Sequence, residues 1–165
     1  MLIHRDQNKY AFCYSFNIKS SQINFEELEN TIKELNFLSN EFEVIYCFSR
    51  RTPSHIKSII RQKASKNNHF FPQEKVNPYW VLLNISEYIF VTSDSISMIS
   101  DSLSTGNKVY IVPIRKIKRK IKNFVEITLE KKMAKLFSGK LESWKYEKLE
   151  ETQKVCKKLI KTLQL

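Results

Sequence analysis

A run of small polar side chains in this sequence has the composition and spacing of a phosphate-binding site. Ser93, Asp94, Ser95 and Ser97 lie where a helix is predicted to begin, directly after an apolar run. The first N–H groups of a helix bind anions such as phosphate, and the hydroxyls of Ser95 and Ser97 would add donors. Asp101 follows two turns later, about 10 Å along the axis. A ribose hydroxyl would lie within its reach if a phosphate occupied the start of the helix.

The same residues also fit a helix that is only well capped, with Ser93 or Asp94 as the N-cap. A carboxylate at Asp94 would repel a phosphate. At about 100° per residue, the helix has one polar face, formed by Asp94, Ser97, Met98 and Asp101, and one face toward the sheet, formed by Ile96, Ile99 and Leu103. Spacing alone leaves both interpretations open.

A second candidate anion site is the sequence SRRTP, which contains Arg50 and Arg51. Thr52 as N-cap and Pro53 as the first helical residue predict a helix start here. Guanidinium groups beside a positive helix end require an anionic partner. That partner is either the phosphate of a ligand or a local carboxylate such as Glu43.

A third candidate is the turn formed by Asn77, Pro78 and Tyr79, which leads into another predicted helix. Its amides and aromatic ring could cover a flat nucleobase. Asparagine and proline are equally typical of an ordinary turn.

Residues 115–122 read RKIKRKIK, in which six of eight positions are basic. Ile117 and Ile121 are four residues apart, so the stretch predicts a basic amphipathic helix that could lie on an anionic membrane surface. The alternative is a solvated basic face on a helix whose isoleucines enter the core.

These sites require an α/β framework, and the hydrophobic pattern predicts one. Short apolar runs predict strands at residues 9–16, 43–48, 68–72, 88–92 and 108–112. Helices are predicted between them at residues 25–38, 53–65, 79–86 and 94–105, the last ended by Gly106. The rest is predicted to be mostly helical, at about 115–133 and 146–163. Alternating strands and helices predict a single Rossmann-like domain over residues 1–165, with a doubly wound parallel sheet.

Composition limits the classes of function. With 42% hydrophobic residues among 165, the chain can bury a core. No run of 18 apolar residues predicts a membrane span, the first residues lack the apolar core of a signal peptide, and three scattered cysteines suit a reducing cytoplasm. Two glycines cannot build a GxGxxG or P-loop motif, and neither HExxH nor GxSxG occurs. We therefore expect a cytoplasmic protein without a metal site, and no catalytic nucleophile is apparent.

The formal net charge of +11 suggests a polyanionic partner, but lysines outnumber arginines by 22 to 6. Arginine is the residue that binds phosphates and bases through two parallel hydrogen bonds. Much of the charge is therefore interpreted as a general solvated surface, and we do not expect nucleic acid as a partner.

Four segments in consistent order resemble the mitochondrial fission protein family of the ELM type: SRRTP, NPY, VTSDSISMISDSLSTGNKVYIVP and LFSGKLESWKY. Proteins of this family occur in bacteria and plants and resemble GT-B glycosyltransferases. Such enzymes have two Rossmann-like domains with the active site in the cleft between them. The resemblance covers only the C-terminal half of such a protein, which holds the nucleotide-sugar donor.

The resemblance implies that the loop before the helix at 94–105 binds the diphosphate and that Asp101 replaces a ribose-binding glutamate. Residues 77–79 would lie near the base, and the two arginines near the phosphate or sugar. The implied nucleotide-sugar-binding residues are Arg50, Arg51, Asn77, Tyr79, Ser93, Ser95, Ser97, Met98 and Asp101. The donor substrate would bind without a metal or other cofactor.

Two departures from the family pattern affect the expected activity. A Gly-Gly pair after the first strand is replaced by Cys13-Tyr14-Ser15-Phe16, and the ribose carboxylate is one methylene shorter. The acceptor-binding N-terminal half, which usually carries the catalytic base, does not appear in this sequence. We therefore expect a donor-binding half that is not active without a separately encoded N-terminal partner half. The alternatives are a non-catalytic interaction module, an anionic-membrane-surface module that is peripheral at the inner membrane, or a truncated remnant.

Overall fold

The computed structural model describes residues 10–14, 25–49, 51–71, 78–114 and 117–163. Its centre is a parallel sheet of six strands in the order β3-β2-β1-β4-β5-β6. The strands are β1 (Tyr10–Tyr14), β2 (Glu43–Cys47), β3 (His69–Phe71), β4 (Tyr88–Thr92), β5 (Lys108–Val112) and β6 (Ala134–Leu136). This order is that of a doubly wound Rossmann sheet, so the predicted fold class is confirmed.

Helices cover both faces of the sheet, as parallel strands require. They are α1 (Phe25–Leu38), α2 (Ser54–Lys63), α3 (Tyr79–Ile85), α4 (Ile96–Thr105) and α5 (Arg119–Glu130). Alternate strand residues point to opposite faces and so create two cores. The first core packs α1 and α2 against the side chains of Tyr46, Phe90 and Tyr110. The second packs α3, α4 and α5 against Ile89 and Ile111. The last helix, α6 (Glu151–Leu163), contributes no described residue to either core.

The C-terminal part differs from the mostly helical prediction. Helix α5 begins at Arg119 and not at 115, and β6 and an irregular stretch over residues 137–150 precede α6. β6 has only three residues, AKL, which carry no apolar run. It is a strand because it pairs with β5, through Val109 with Ala134 and Ile111 with Leu136. A tertiary pairing of this kind leaves no local signal.

Residues 137–150 pass from the first core to the second. The Phe137 ring meets the Phe90 ring edge-on, with 4.8 Å between the ring centroids. The Trp144 ring meets the Tyr110 ring in the same way, with 5.2 Å between centroids. The Tyr146 hydroxyl then donates to the carbonyl oxygens of Asn107, at 2.8 Å, and Leu103, at 3.2 Å, on the side of α4. This stretch therefore links β5, through Trp144, to the C-terminal end of α4, through Tyr146.

Within the described residues, no helix is both long and apolar enough to cross a membrane.

Candidate functional site

The candidate site lies where the strand order reverses. β1 and β4 are neighbours in the sheet, and the chain proceeds outward from them in opposite directions. Doubly wound sheets bind ligands in the crevice at the carboxyl ends of these two strands. The carboxyl end of β4 leads directly into residues 93–95 and then α4. The polar run singled out in the sequence therefore occupies the position at which this fold binds its ligands.

The turn between β4 and α4 is held by its own polar atoms. The backbone N–H of Ser93 donates to the Val112 carbonyl at 2.9 Å, and the backbone N–H of Ile114 donates to Ser93 Oγ at 2.8 Å. Ser93 is only 2% exposed, so it ties the turn to the end of β5. Ser93 was predicted to bind the ligand. In the structure it is buried, and its hydrogen bonds hold the turn.

The first turn of α4 has no side-chain cap. α4 begins at Ile96, with Ser95 as N-cap, and not at Asp94 as predicted. The Ser95 side chain makes no capping hydrogen bond, and its Oγ lies 3.3 Å from Ser97 Oγ. Ser97 is exposed, and Ser95 is half-buried. The N-cap side chain does not hydrogen-bond to the first amides of the helix. These amides and the hydroxyls of Ser95 and Ser97 can therefore donate to the same anion.

Asp94 supplies the carboxyl group of this turn. Its Oδ1 accepts a hydrogen bond from Thr92 Oγ1 at 2.5 Å, whereas its Oδ2 is buried and has no partner among the described residues. Burial raises the pKa of Asp94 above its ordinary value of 3.8, and the bond from Thr92 opposes this shift. The sequence indicated that a charged Asp94 would repel a phosphate, but it did not predict the hydrogen bond from Thr92.

Asp94→Asn is expected to stabilise the ligand-free protein at neutral pH. Because the folded protein raises the pKa of Asp94 above 3.8, folding favours the protonated form. The stability of the wild type therefore falls as pH rises from 3.8 through the raised pKa, and this loss is complete above that pKa. Asparagine keeps an oxygen that can accept from Thr92, and it carries no charge that burial would destabilise.

Melting temperatures of wild type and Asp94→Asn between pH 3 and pH 8 test this expectation. The advantage of the variant should be present at pH 7 and should vanish at acidic pH. An advantage that is the same at every pH would contradict an ionisation effect.

The structure brings two predicted site residues together. Tyr79, the first residue of α3, donates its hydroxyl to Asp101 Oδ2 on α4 at 2.8 Å. Both residues are half-buried. Tyr79 was predicted to lie near a nucleobase, whereas the structure shows that it orients the carboxylate. A carboxylate has further acceptor positions, so Asp101 can still accept from a ligand hydroxyl.

Met98 was predicted on the polar face of α4, and this was wrong. It is 8% exposed and belongs to the second core together with Ile99 and Leu103. Residues four apart share one side of a helix, so Met98 lies on the side of Ser102, which is 0% exposed. The Met98 side chain is therefore part of the second core.

The arginine segment lies further from α4 than its sequence suggested. Arg51 is exposed at the carboxyl end of β2, and β1 separates β2 from β4. Glu43, the predicted local partner, is at the opposite end of β2, where its carboxylate lies 3.6 Å from His69 Nε2. The interpretation of Glu43 as a local partner of Arg51 was therefore wrong. Arg50 lies outside the described residues.

The start of α2 also differs by one residue. Pro53 is the N-cap and Ser54 the first helical residue. Thr52 Oγ1 accepts from the backbone N–H of Ser49 at 3.0 Å, so its hydroxyl stabilises the preceding turn instead of capping the helix. Asn77 lies outside the described residues, as do Ser15 and Phe16 of the segment 13–16 that replaces the Gly-Gly pair.

A cavity of about 280 Å³ adjoins the β4–α4 turn and was not anticipated. Helix α1 lines it with Glu27, Asn30 and Glu34, and Pro113 and Ile114 form part of the opposite wall. Ile114 is also the residue whose N–H binds Ser93. Burial raises the pKa of Glu34. The spacing of the three α1 residues over two turns was the available signal, but they read as an ordinary solvated helix face.

In the part of the chain that the structure describes, no group of three or more histidine, cysteine, aspartate or glutamate side chains could hold a metal ion.

Comparisons with known proteins identify a family for this chain. The family described as Mitochondrial fission ELM1 matches this chain over residues 17–163. An uncharacterized protein of Rickettsia prowazekii (strain Madrid E) is 34% identical over 153 residues, which cover 87% of this chain and 41% of that protein. Mitochondrial fission protein ELM1 of Arabidopsis thaliana is 30% identical over 134 residues, covering 78% of this chain and 31% of that protein. The chain thus spans less than half the length of either relative.

Two solved structures share the fold. The UDP-GlcNAc 2-epimerase of Methanocaldococcus jannaschii, in complex with UDP-GlcNAc and UDP, has a TM-score of 0.58 and 14% identity, and the match covers 92% of this chain and 45% of that one. The UDP-GlcNAc 2-epimerase of Neisseria meningitidis, bound to UDP-GlcNAc, has a TM-score of 0.54 and 13% identity, and the match covers 98% of this chain and 37% of that one. At this identity, the similarity shows the fold alone.

Proposed function

This chain belongs to the mitochondrial fission ELM1 family, and we propose that it binds a nucleotide or nucleotide-sugar at the N-terminus of α4. The diphosphate would meet the first amides of α4 and the hydroxyls of Ser95 and Ser97. Asp101, held by Tyr79, would accept from the ribose hydroxyls. Met98 is left out of this site because it is buried in the second core.

The observation that carries the proposal is the alignment of donors and acceptor along one side of α4. Ser97 and Asp101 are four residues apart, one turn or about 6 Å along the axis. Donors therefore lie at the end of the helix where its dipole attracts negative charge, and the acceptor lies one turn further on. A nucleoside diphosphate has this order of groups, with the anionic phosphates at one end and hydroxyls on the adjacent ribose.

The cavity beside α1 gives the ligand a second contact region. It adjoins Ile114, and its amide and carboxylate side chains from Asn30 and Glu34 can hydrogen-bond to a base or a sugar. Its volume of about 280 Å³ is near the lower end for small-molecule sites. The two epimerases of similar fold were solved with UDP-GlcNAc, which supports the same class of ligand.

The activity of a complete family member is a further step of the proposal. In a GT-B-type arrangement, this unit would hold the donor, and a second Rossmann-like half would supply the acceptor site and the catalytic base. Sugar transfer would then require that half, on the same polypeptide or a separate one. Mixing this chain with such a half should produce transfer that neither part shows alone.

Ser95→Ala/Ser97→Ala is expected to bind a UDP- or GDP-sugar at least tenfold more weakly than wild type. Hydrogen bonds to charged groups contribute about 1.5–3 kcal/mol each, so two lost hydroxyls outweigh a tenfold change. Isothermal titration calorimetry measures the affinity directly. The matched control is Ser58→Ala/Ser143→Ala, which removes two exposed serines away from α4. Equal affinities of all three proteins would refute binding at this helix start.

A further inference from the structure

Helix α6 has an apolar side that the rest of the described chain does not cover. Val155, Leu159 and Leu163 are four residues apart and form one stripe, which Cys156 and Ile160 extend. The four large apolar residues are between 52% and 62% exposed. Neither core includes a described residue of α6. Within the described residues, α6 therefore does not pack its apolar side into either core.

The other side of α6 is rich in lysine after the first residue of the helix, Glu151. Residues 154–163, KVCKKLIKTL, contain four lysines and no acid. At about 100° per residue, Lys154, Lys157, Lys158 and Lys161 fall opposite the apolar stripe. A helix that only packs on a protein surface normally carries acids among its solvated residues. With four lysines against the single acid Glu151, the charge of α6 favours an anionic counterpart.

The dimensions of α6 fit a helix that lies along a surface. Thirteen residues extend about 20 Å, shorter than the roughly 30 Å hydrocarbon core of a bilayer. A strong separation of apolar and basic faces with low overall hydrophobicity is typical of helices that lie in the interface of anionic membranes. The net charge of +11 of the whole chain would attract it to such a surface over a longer range.

The basic stretch at residues 115–122 is a poorer candidate. Ile121 packs against the second core, so this side chain is used within the fold. Residues 118–120 at the start of α5 are exposed and basic, without an apolar stripe beside them. Residues 115 and 116 lie outside the described residues. The prediction of a membrane surface at this stretch stays a prediction, and its described part serves as a charge-matched control.

We propose that α6 binds the surface of an anionic lipid bilayer, with Val155, Leu159 and Leu163 between the acyl chains and the lysines at the headgroups. Each lysine near an anionic surface contributes about 1 kcal/mol, so three of them correspond to on the order of 100-fold in binding. Burial of leucine and valine side chains adds an apolar contribution that does not depend on salt.

Sedimentation of the full chain with vesicles of phosphatidylglycerol and phosphatidylcholine tests this proposal, with pure phosphatidylcholine vesicles as the reference. Wild type should pellet with the anionic vesicles at low salt and remain in solution with the neutral ones. Lys157→Gln/Lys158→Gln/Lys161→Gln should bind about 100-fold more weakly. The control Lys118→Gln/Arg119→Gln/Lys120→Gln removes the same charge from α5 and should stay within a few fold of wild type.

Leu159→Glu tests the apolar stripe and should weaken vesicle binding at least tenfold. The residue is 52% exposed, so the melting temperature should change little. Three results would overturn the proposal: no pelleting with anionic vesicles, equal losses in the two triple variants, or a wild-type dimer in solution that Leu159→Glu dissociates. The last result would show that the stripe binds a second copy of the chain.

Discussion

Asp101→Ala is expected to lose most of the thermal stabilisation that a nucleotide-sugar gives to the wild-type chain. A ligand at 100 times its Kd stabilises the folded state by about 2.7 kcal/mol, roughly 5–10 °C for a chain of this size. The carboxylate is proposed to accept from two ribose hydroxyls, and hydrogen bonds to charged groups contribute about 1.5–3 kcal/mol each. Affinity should fall on the order of 100-fold, and the shift to below about 2 °C.

Two variants separate the carboxylate from its orientation. Tyr79→Phe removes the hydroxyl that donates to Asp101 Oδ2 but leaves the charge, so we expect a smaller loss of affinity, about threefold to tenfold. Asp101→Glu keeps the carboxylate on a side chain one methylene longer and should keep the shift. An unchanged shift in Asp101→Ala would place the nucleotide elsewhere. The ligand-free melting temperatures of all three variants serve as the control for folding.

Tyr110→Ala is expected to give the largest loss of stability, about 3–5 kcal/mol. Tyr110 is 1% exposed, and its ring stacks on Phe90 at 5.5 Å and meets Trp144 at 5.2 Å. Its hydroxyl oxygen also accepts from the backbone N–H of Glu142 at 2.6 Å. Truncation removes the surface against which residues 137–150 pack, and it leaves that amide without its partner.

Urea denaturation measures the loss, and Tyr110→Phe is the matched control. The phenylalanine keeps every ring contact and removes only the acceptor, so it should cost about 1 kcal/mol. If alanine costs no more than phenylalanine, residues 137–150 do not pack on β5 as the structure shows. A lowered denaturation slope in the alanine variant would accompany detachment of this stretch, because less surface is then exposed on unfolding.

The central strands and their helices could be predicted because their signals are local. β4 and β5 have the predicted bounds, residues 88–92 and 108–112, and α1 has the predicted residues 25–38. Each has a local apolar pattern. The end of α4 was also predicted, because Gly106, with a φ of 82°, suits a helix end. β6 could not be predicted, because its strand conformation depends on pairing with β5.

The candidate site could be predicted in composition but not in geometry. The sequence identified Tyr79 and Asp101 separately, yet a hydrogen bond between α3 and α4 depends on how the two helices pack. Glu43 is close to the arginines in sequence. It lies at the start of β2, however, whereas the arginine segment follows the other end of that strand, so the two are separated by the length of the strand. The cavity could not be predicted for the same reason, because it forms only where α1 packs next to residues 113 and 114.

Thermal melting of the full chain with a panel of nucleotides tests nucleotide binding most directly. The panel should contain UDP-, GDP- and ADP-sugars and the corresponding nucleoside diphosphates, each at millimolar concentration, with inorganic phosphate as the reference. We expect at least one nucleotide to raise the melting temperature by several degrees and inorganic phosphate to have little effect. Absence of a shift with every nucleotide would contradict the proposal that the N-terminus of α4 is a nucleotide site.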